Sequence, residues 1–279
     1  LLKNETRIRV VESEEALTPA AFRNHVFKSV RGQWIFFIDD DARVHPKIFR
    51  RFLLALERRP GVAIFGGPNI NPPESSLFQR SSGFTLASRF ATSFSSVRYE
   101  VRGGERLCDE TSLTLCNLFV RTDALEPAPF PPNFVCCEEN WLLQNLQSRG
   151  WKAVYDPTLA VWHERRPDLP SLMRQIFRYG FGRGQIFKRR RFGIHAAHLI
   201  PTFSVAYAAM VTGAWISRGE FELIWATPVF AYAALCAGAA IHQKIVKRRS
   251  VAEVALSTGL FPVVHASYGI GLFWGIVRG

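Results

Sequence analysis

The stretch Trp34-Ile35-Phe36-Phe37-Ile38-Asp39-Asp40-Asp41 decides the fold of the chain. Its apolar part runs unbroken from Trp34 to Ile38, between Gly32 and Asp39. A short apolar run bounded in this way is the pattern of a strand buried on both faces of a parallel or mixed sheet. The carboxylates follow at once. Ligands of open α/β sheets sit at the carboxyl ends of strands. In extended chain, residues two apart point the same way, so Asp39 and Asp41 are expected to face one site. Two carboxylates this close repel unless a cation or protons relieve them. Mg²⁺ is commonly held by one or two carboxylates together with substrate phosphates. The triplet therefore reads as a metal site rather than a solvated acidic turn.

Outward from this stretch, helix and strand signals alternate. Thr18-Pro19 reads as an N-cap followed by proline at the first helical position, opening a helix over 19–30 that stops at Gly32. A helix is expected over 46–59, ending at Pro60-Gly61, then a buried strand over 62–65. Cys136-Cys137-Glu138-Glu139-Asn140 opens a further helix running to about Gly150, with Leu142, Leu143 and Leu146 as its apolar stripe. Acids in a first turn favour the helix dipole, so Glu138 and Glu139 have a structural reading beside a catalytic one. Trp151–Tyr155 and Leu159–His163 look like strands, the second closed by His163. The alternation predicts an α/β fold, an open sheet with helices on both faces.

The chain has 279 residues, of which 48% are hydrophobic, with a net charge of +12. That composition excludes a disordered chain, and the 20 glycines show no collagen-like period. Cys108, Cys116, Cys136, Cys137 and Cys236 form no C-x-x-C pair, which disfavours a disulfide framework or structural zinc and fits a reducing compartment.

The average hides two halves. Residues 1–170 read as one α/β domain, 171–192 as a basic interfacial segment and 193–279 as a membrane region. Phe192–Ser217, Leu223–Gln243 and Val254–Val277 contain no Asp, Glu, Lys or Arg, and a bilayer-crossing helix needs roughly 20 apolar residues. The first two are read as transmembrane helices over 198–217 and 222–243. The third holds His265, two serines and four glycines, and reads as a span, a kinked span or a re-entrant segment. Lys188-Arg189-Arg190-Arg191 precedes the first stretch, and Lys244, Lys247, Arg248 and Arg249 follow the second. The connection between them, 218–222, is net negative. The excess of Lys and Arg then puts both basic segments and the α/β domain on the cytoplasmic side. A nucleic-acid patch is the rival reading of so many arginines. The charge abuts apolar stretches and no binding motif accompanies it, so no nucleic-acid partner is expected.

Gln175-Ile176-Phe177-Arg178-Tyr179 is followed by Gly180, Gly182 and Gly184. Glycines let a backbone approach closely, and an arginine there can clamp a diphosphate bidentately. A basic amphipathic helix at a membrane surface is the competing structural reading.

In this order and spacing, the pieces resemble the family 2 glycosyltransferases, inverting enzymes of GT-A fold, and among them the membrane-attached bacterial members that build exopolysaccharide or other envelope glycans. The resemblance is carried by Ala21-Phe22-Arg23-Asn24 with Gly32, by Phe37–Asp41 as a D-x-D motif, and by Asn117 with Arg121. Glu138-Glu139 stands where the family has Glu-Asp, and Tyr155-Asp156-Pro157 with Val161-Trp162-His163 resembles its Y-x-P … V-x-H ending. Gln175–Tyr179 is similar to the Q-x-x-R-W motif of processive members, with Tyr for Trp. The resemblance implies a nucleotide-diphospho-sugar donor, a lipid-linked or glycan acceptor, Mg²⁺ or Mn²⁺ as cofactor, and a place in the bacterial inner membrane with several spans. It implies that Asp39 and Asn24 contact the donor and that Asp41, with Asp39 and His163, holds the cation. Glu139 becomes the general base and Glu138 its orienting neighbour, while Gln175 and Arg178 hold the acceptor or the leaving diphosphate. The family's first strand, with the base-binding aspartates after it, has no counterpart here, which implies further residues before Leu1. A polyprenyl-phosphate sugar transferase and a catalytically idle scaffold of the same fold are the alternatives.

Overall fold

The computed structural model describes residues 9–127, 129–134, 136–190, 195–218 and 223–279. Arg191 of the first basic run and residues 219–222 of the acidic connection lie outside the described residues.

The chain begins with α1 (Pro19–Phe27), β1 (Trp34–Ile38), β2 (Ala42–Val44), α2 (Ile48–Arg58), β3 (Ile64–Gly66) and β4 (Asn69–Ile70). Next come α3 (Leu77–Leu86), α4 (Arg89–Thr92), a 3₁₀ segment over Ser93–Tyr99, β5 (Arg106–Cys108) and β6 (Asn117–Arg121). Then follow α5 (Glu138–Ser148), β7 (Ala153–Tyr155), β8 (Val161–His163) and α6 (Leu169–Arg190). Helices α7 (Ala196–Arg218), α8 (Leu223–Lys247) and α9 (Val251–Arg278) close the chain.

Two sheets form the α/β part. The larger has five strands in the order β1-β6-β3-β7-β5, with β3 and β7 parallel and the other pairs antiparallel. The smaller has the order β2-β8-β4. The expected open α/β sheet with helices on both faces is thus a mixed one. Alternate residues of each strand serve opposite faces, as the pleat requires. Ile64, Leu118, Val120, Ala153 and Tyr155 pack with Ala20 of α1 and Leu142, Leu143 and Leu146 of α5. Phe65, Phe119 and Val154 pack with Ile48, Phe52 and Ala55 of α2 on the other face. Phe119 lies stacked between Phe36 and Phe52, with centroids 4.0 and 4.2 Å away.

The run Trp34–Ile38 is a strand with the expected bounds, but it is half-buried, and Ile38 is exposed. It forms one edge of the five-stranded sheet, so an apolar run was read as more interior than it is. Helix α1 opens as expected, with Thr18 Oγ1 accepting from the Ala21 amide at 3.1 Å. It stops at Phe27, short of Val30, because the Ser29 amide and hydroxyl both turn back onto the Val26 carbonyl.

Helices α7, α8 and α9 are each long and apolar enough to cross a membrane. The third apolar stretch, left open among three readings, is one helix of 28 residues with Ser250 and Glu253 forming a capping box. It is also the most enclosed of the three, packed along α6 and against α3, α7 and α8. Two small-residue faces make the α6–α9 approach possible. A Cβ on Gly271 would meet the Phe177 carbonyl oxygen at 2.1 Å, and one on Gly180 the Tyr268 carbonyl oxygen at 2.2 Å. Gly184 and Gly275 repeat the arrangement one turn on. The glycines after Gln175–Tyr179, read in the sequence as room for a ligand, are room for a helix. Gly182 points to a different neighbour, the Cys136–Cys137 turn.

Candidate active site

A cavity of about 560 Å³ opens at the carboxyl end of β1, beneath the N-terminus of α5. Asp39, Glu138, Glu139, His163 and Gln175 all line it. Asp39-Asp40-Asp41 is the turn between β1 and β2, closed by the Ala42 amide on the Asp39 carbonyl at 3.1 Å. The outer carboxylates face one site through that turn, rather than through the extended chain the spacing suggested.

His163 reaches the same site because β8 pairs with β2, placing it opposite Ala42. Its Nε2 lies 3.1 Å from an Asp41 carboxylate oxygen and 3.9 Å from one of Asp39. Burial alone would lower the imidazole pKa, but the hydrogen bonds to Asp39 and Asp41 outweigh it and raise it. The bond from His163 holds the Asp41 carboxyl below its usual range despite partial burial. These opposed shifts describe a locus that attracts positive charge.

Cys116 Sγ lies within 4.8 Å of the Asp39 and His163 donor atoms. Burial pushes its thiol up to about 11, and it shares hydrogen bonds with Asn69 Nδ2 at 3.1 Å and Thr114 Oγ1 at 3.0 Å. Asp39 and His163 complete this group, and Asp41 adjoins it through its contact with His163 Nε2; carboxylate and imidazole donors suit Mg²⁺ or Mn²⁺.

Helix α5 starts at Cys137, which adopts left-handed backbone at φ 63°. That turn sets Glu138 and Glu139 on the cavity wall. Glu138 is buried and accepts from Arg23 Nη1 at 3.2 Å. Arg23 Nη2 is also 4.0 Å from Asp39, so one guanidinium bridges the D-x-D turn and the α5 acids. Burial pushes the Glu138 carboxyl up, and the charge of Glu139 pushes it further, with Arg23 and Arg178 pulling back. Glu139 faces Arg98, whose Nη1 is 3.5 Å from its carboxylate. Arg98 in turn donates to the Glu110 carbonyl, and the Glu110 carboxylate accepts from Arg183 at 3.1 Å and Gln144 at 3.0 Å.

Asp41 does not line the cavity and adjoins it through His163, and two further anticipated residues sit elsewhere. The Asn24 amide is spent at both ends on Phe130, donating to its carbonyl at 2.7 Å and accepting from its amide at 3.1 Å. It fastens α1, and its neighbour Arg23 is the one that lines the cavity. Arg178 is not among the lining residues. Its carbonyl accepts from Cys136 Sγ at 2.6 Å, and its charge reaches Glu138. The sequence reading gives no role to Arg23, Arg98, Glu110 or Arg165, whereas Arg183 is among the arginines flanking the glycines after Tyr179. For Arg23 the signal was its place beside Asn24 in a motif already noted. Arg98 and Glu110 stand in a stretch with neither periodicity nor motif.

The family model described as glycosyl transferase family group 2 matches residues 34–241, well over half of the chain, from the first residue of β1 into α8. The chain belongs to this family. It is a glycosyltransferase of GT-A class, with mixed α/β sheets followed by three helices able to cross a membrane. The family implies a nucleotide-sugar donor and an acceptor, and the apolar helices imply association with a membrane. No curated protein gives a significant match to the chain.

Proposed function

We propose that this glycosyltransferase is an inverting, divalent-cation-dependent enzyme that moves a sugar to a hydroxyl of a membrane-borne acceptor, a lipid-linked sugar or growing glycan, on the cytoplasmic face of a bacterial inner membrane. One observation carries the reading. The cavity that gathers Asp39, Glu138, Glu139 and His163 continues along Ile200, Pro201 and Ser204 of α7, Leu235 of α8 and Val264 of α9. An acceptor with a polar reacting end and an apolar anchor matches a site polar at one end and walled by apolar helices at the other.

Asp39, Asp41 and His163 would hold the cation, which when bound neutralises the diphosphate of the donor. Glu139 accepts the proton of the acceptor hydroxyl as its oxygen forms the new bond to the anomeric carbon. The bond from that carbon to the diphosphate breaks on the opposite face, so the anomeric centre inverts and a nucleoside diphosphate leaves. Arg23 and Arg98 line the same cavity and add positive charge where the leaving group develops negative charge. Glu138, tied to Arg23, orients the pair. Gln175 lines the same cavity, which supports a role for it in holding the acceptor.

The test is transfer by the full-length enzyme in nanodiscs, with a panel of nucleotide sugars and a membrane lipid extract. The expected product is a lipid-extractable glycoside whose anomeric configuration is opposite to the donor's. A product of retained configuration, or a sugar ester of a lipid phosphate, would overturn the assignment.

A further inference from the structure

A second cavity, of about 720 Å³, opens where the last turns of α8 meet α3 and the segment Tyr99–Arg102. It shares Arg89, Phe90 and Tyr99 with the acidic cavity but none of its carboxylates. Its wall carries Arg80, Arg89, Arg102, Lys247 and Arg249 against a single acid, Glu100. Glu100 is engaged by Lys247 and by Arg102 at 2.7 Å, and Arg80 is taken by Glu253 at 2.8 Å. Among the described residues, Arg89 and Arg249 have no carboxylate within ion-pair distance. The Arg249 guanidinium lies over the Phe84 ring, 3.3 Å from its centroid, and its Nε is buried without a hydrogen-bond partner. A sheltered guanidinium with an unused donor is costly unless an anion completes it.

The position narrows the choice of anion. Helix α8 is apolar enough to cross a membrane from Ile224 to Lys247, and its polar end, His242 to Lys247, forms one wall of the cavity. Gln243 fastens that end to α3 through a bond to the Phe84 carbonyl at 3.0 Å. The cavity therefore stands at the level where a bilayer presents its headgroups. Ile70, Phe84, Val101 and Val246 give it an apolar lining beside the cations. Arginine forks match phosphate oxygens bidentately, and basic pockets at the ends of membrane helices suit anionic headgroups.

We propose that this cavity is a binding site for the phosphate of an anionic membrane lipid, separate from the transfer site. The cations that Glu100 leaves uncompensated meet the headgroup, and the apolar lining meets the start of its chains. The assignment rests on α8 crossing the membrane, not on the transfer chemistry, and its test reads binding alone.

Delipidated full-length protein in detergent is titrated with phosphatidylglycerol, phosphatidylcholine or inorganic phosphate, and bound ligand is counted by native mass spectrometry. Phosphatidylglycerol should bind best, and Arg249→Gln should weaken it by about tenfold, the worth of one charge-assisted hydrogen bond. Arg249→Lys, which keeps the charge and loses the fork, should fall between the two, and it stands in if the glutamine variant does not fold. Equal retention of both lipids, or phosphatidylglycerol affinity unchanged in the Arg249 variants, overturns the site. Inorganic phosphate binding as tightly as phosphatidylglycerol overturns its assignment to a lipid.

Discussion

His163 Nε2 lies 3.1 Å from an Asp41 carboxylate oxygen, although the two residues stand far apart in the sequence. Strand β8 brings them together by pairing with β2, so His163 sits opposite Ala42, next to the acidic turn. The contact couples the turn after β1 to the last strand before the helical region. It also sets an imidazole between the carboxylates of Asp39 and Asp41, at 3.9 and 3.1 Å.

If the locus holds a catalytic cation, Asp41→Asn removes one charged ligand and should nearly abolish turnover, by roughly 10²-fold or more. EDTA should silence the wild-type enzyme, and added Mn²⁺ should restore it. Initial rates of nucleoside diphosphate release check both points. Full activity in EDTA would remove the cation from the mechanism.

The glycine faces between α6 and α9 give a stability prediction independent of chemistry. Gly271→Val places atoms where the Phe177 carbonyl stands, 2.1 Å from an ideal Cβ, and backbone cannot step aside cheaply. The expected loss is about 1–3 kcal/mol or more. Gly259 lies on the same helix, and a Cβ there meets nothing within 4 Å. Gly259→Ala should be neutral or stabilise by up to about 1 kcal/mol through helix propensity. Thermal unfolding in detergent, compared for the two variants, reads the difference. Similar melting points would mean that α6 and α9 do not pack this closely.

What could be read in the sequence and what could not divide along a physical line. The run Trp34–Ile38, the opening of α5 at Glu138 and the apolar length of α7 and α8 are local properties, written in consecutive residues. The closeness of Asp39 and Asp41 along the chain is also local, and each of the two approaches His163 Nε2 from the turn they form. The place of β1 at a sheet edge is not local, because a run of aromatics looks the same at an edge and in the middle. The three glycines after Tyr179 carry a true signal, close backbone approach, but the sequence does not say what approaches. Arg98 and Glu110 meet only through the tertiary fold, in a segment of short turns without periodicity, and Arg165, just after β8, finds its partners the same way. Arg165, for example, is buried with its guanidinium on Asn69 and Asn71 and over the Tyr99 ring.

Orientation in the bilayer is open to a direct test. The distribution of Lys and Arg predicts that position 218 and position 244 lie on opposite sides. Arg218→Cys and Lys244→Cys, each in a background with the partly exposed Cys108 and Cys136 replaced by serine, should differ in reaction with an impermeant maleimide. In inside-out vesicles, only the variant at 244 should label. Labelling of 218 alone would reverse the topology and with it the cytoplasmic placement of the catalytic part, and labelling of both would mean that α8 does not cross.

The sharpest test separates the two adjacent glutamates. Both line the cavity, but they have different neighbours. Glu138 is buried on Arg23, and burial together with the charge of Glu139 pushes its carboxyl upward. Two adjacent acids do not ionise together cheaply, and the upward push on Glu138 makes it the poorer base. A general base must be the ionised member. Glu139, on the cavity wall with Arg98 Nη1 3.5 Å away, is the glutamate assigned that role. Glu139→Gln keeps the shape and removes the capacity to accept a proton, so kcat should fall by roughly 10²–10⁴-fold with donor Kd little changed. Glu138→Gln keeps an acceptor for Arg23 and mimics the protonated state, so its loss should be much smaller. Arg98→Met leaves Glu139 without its partner. It should lower kcat by less than Glu139→Gln does, because the carboxylate itself remains. Measuring kcat and donor Kd for the three variants decides the matter. A dead Glu138→Gln beside an active Glu139→Gln would reverse the two roles.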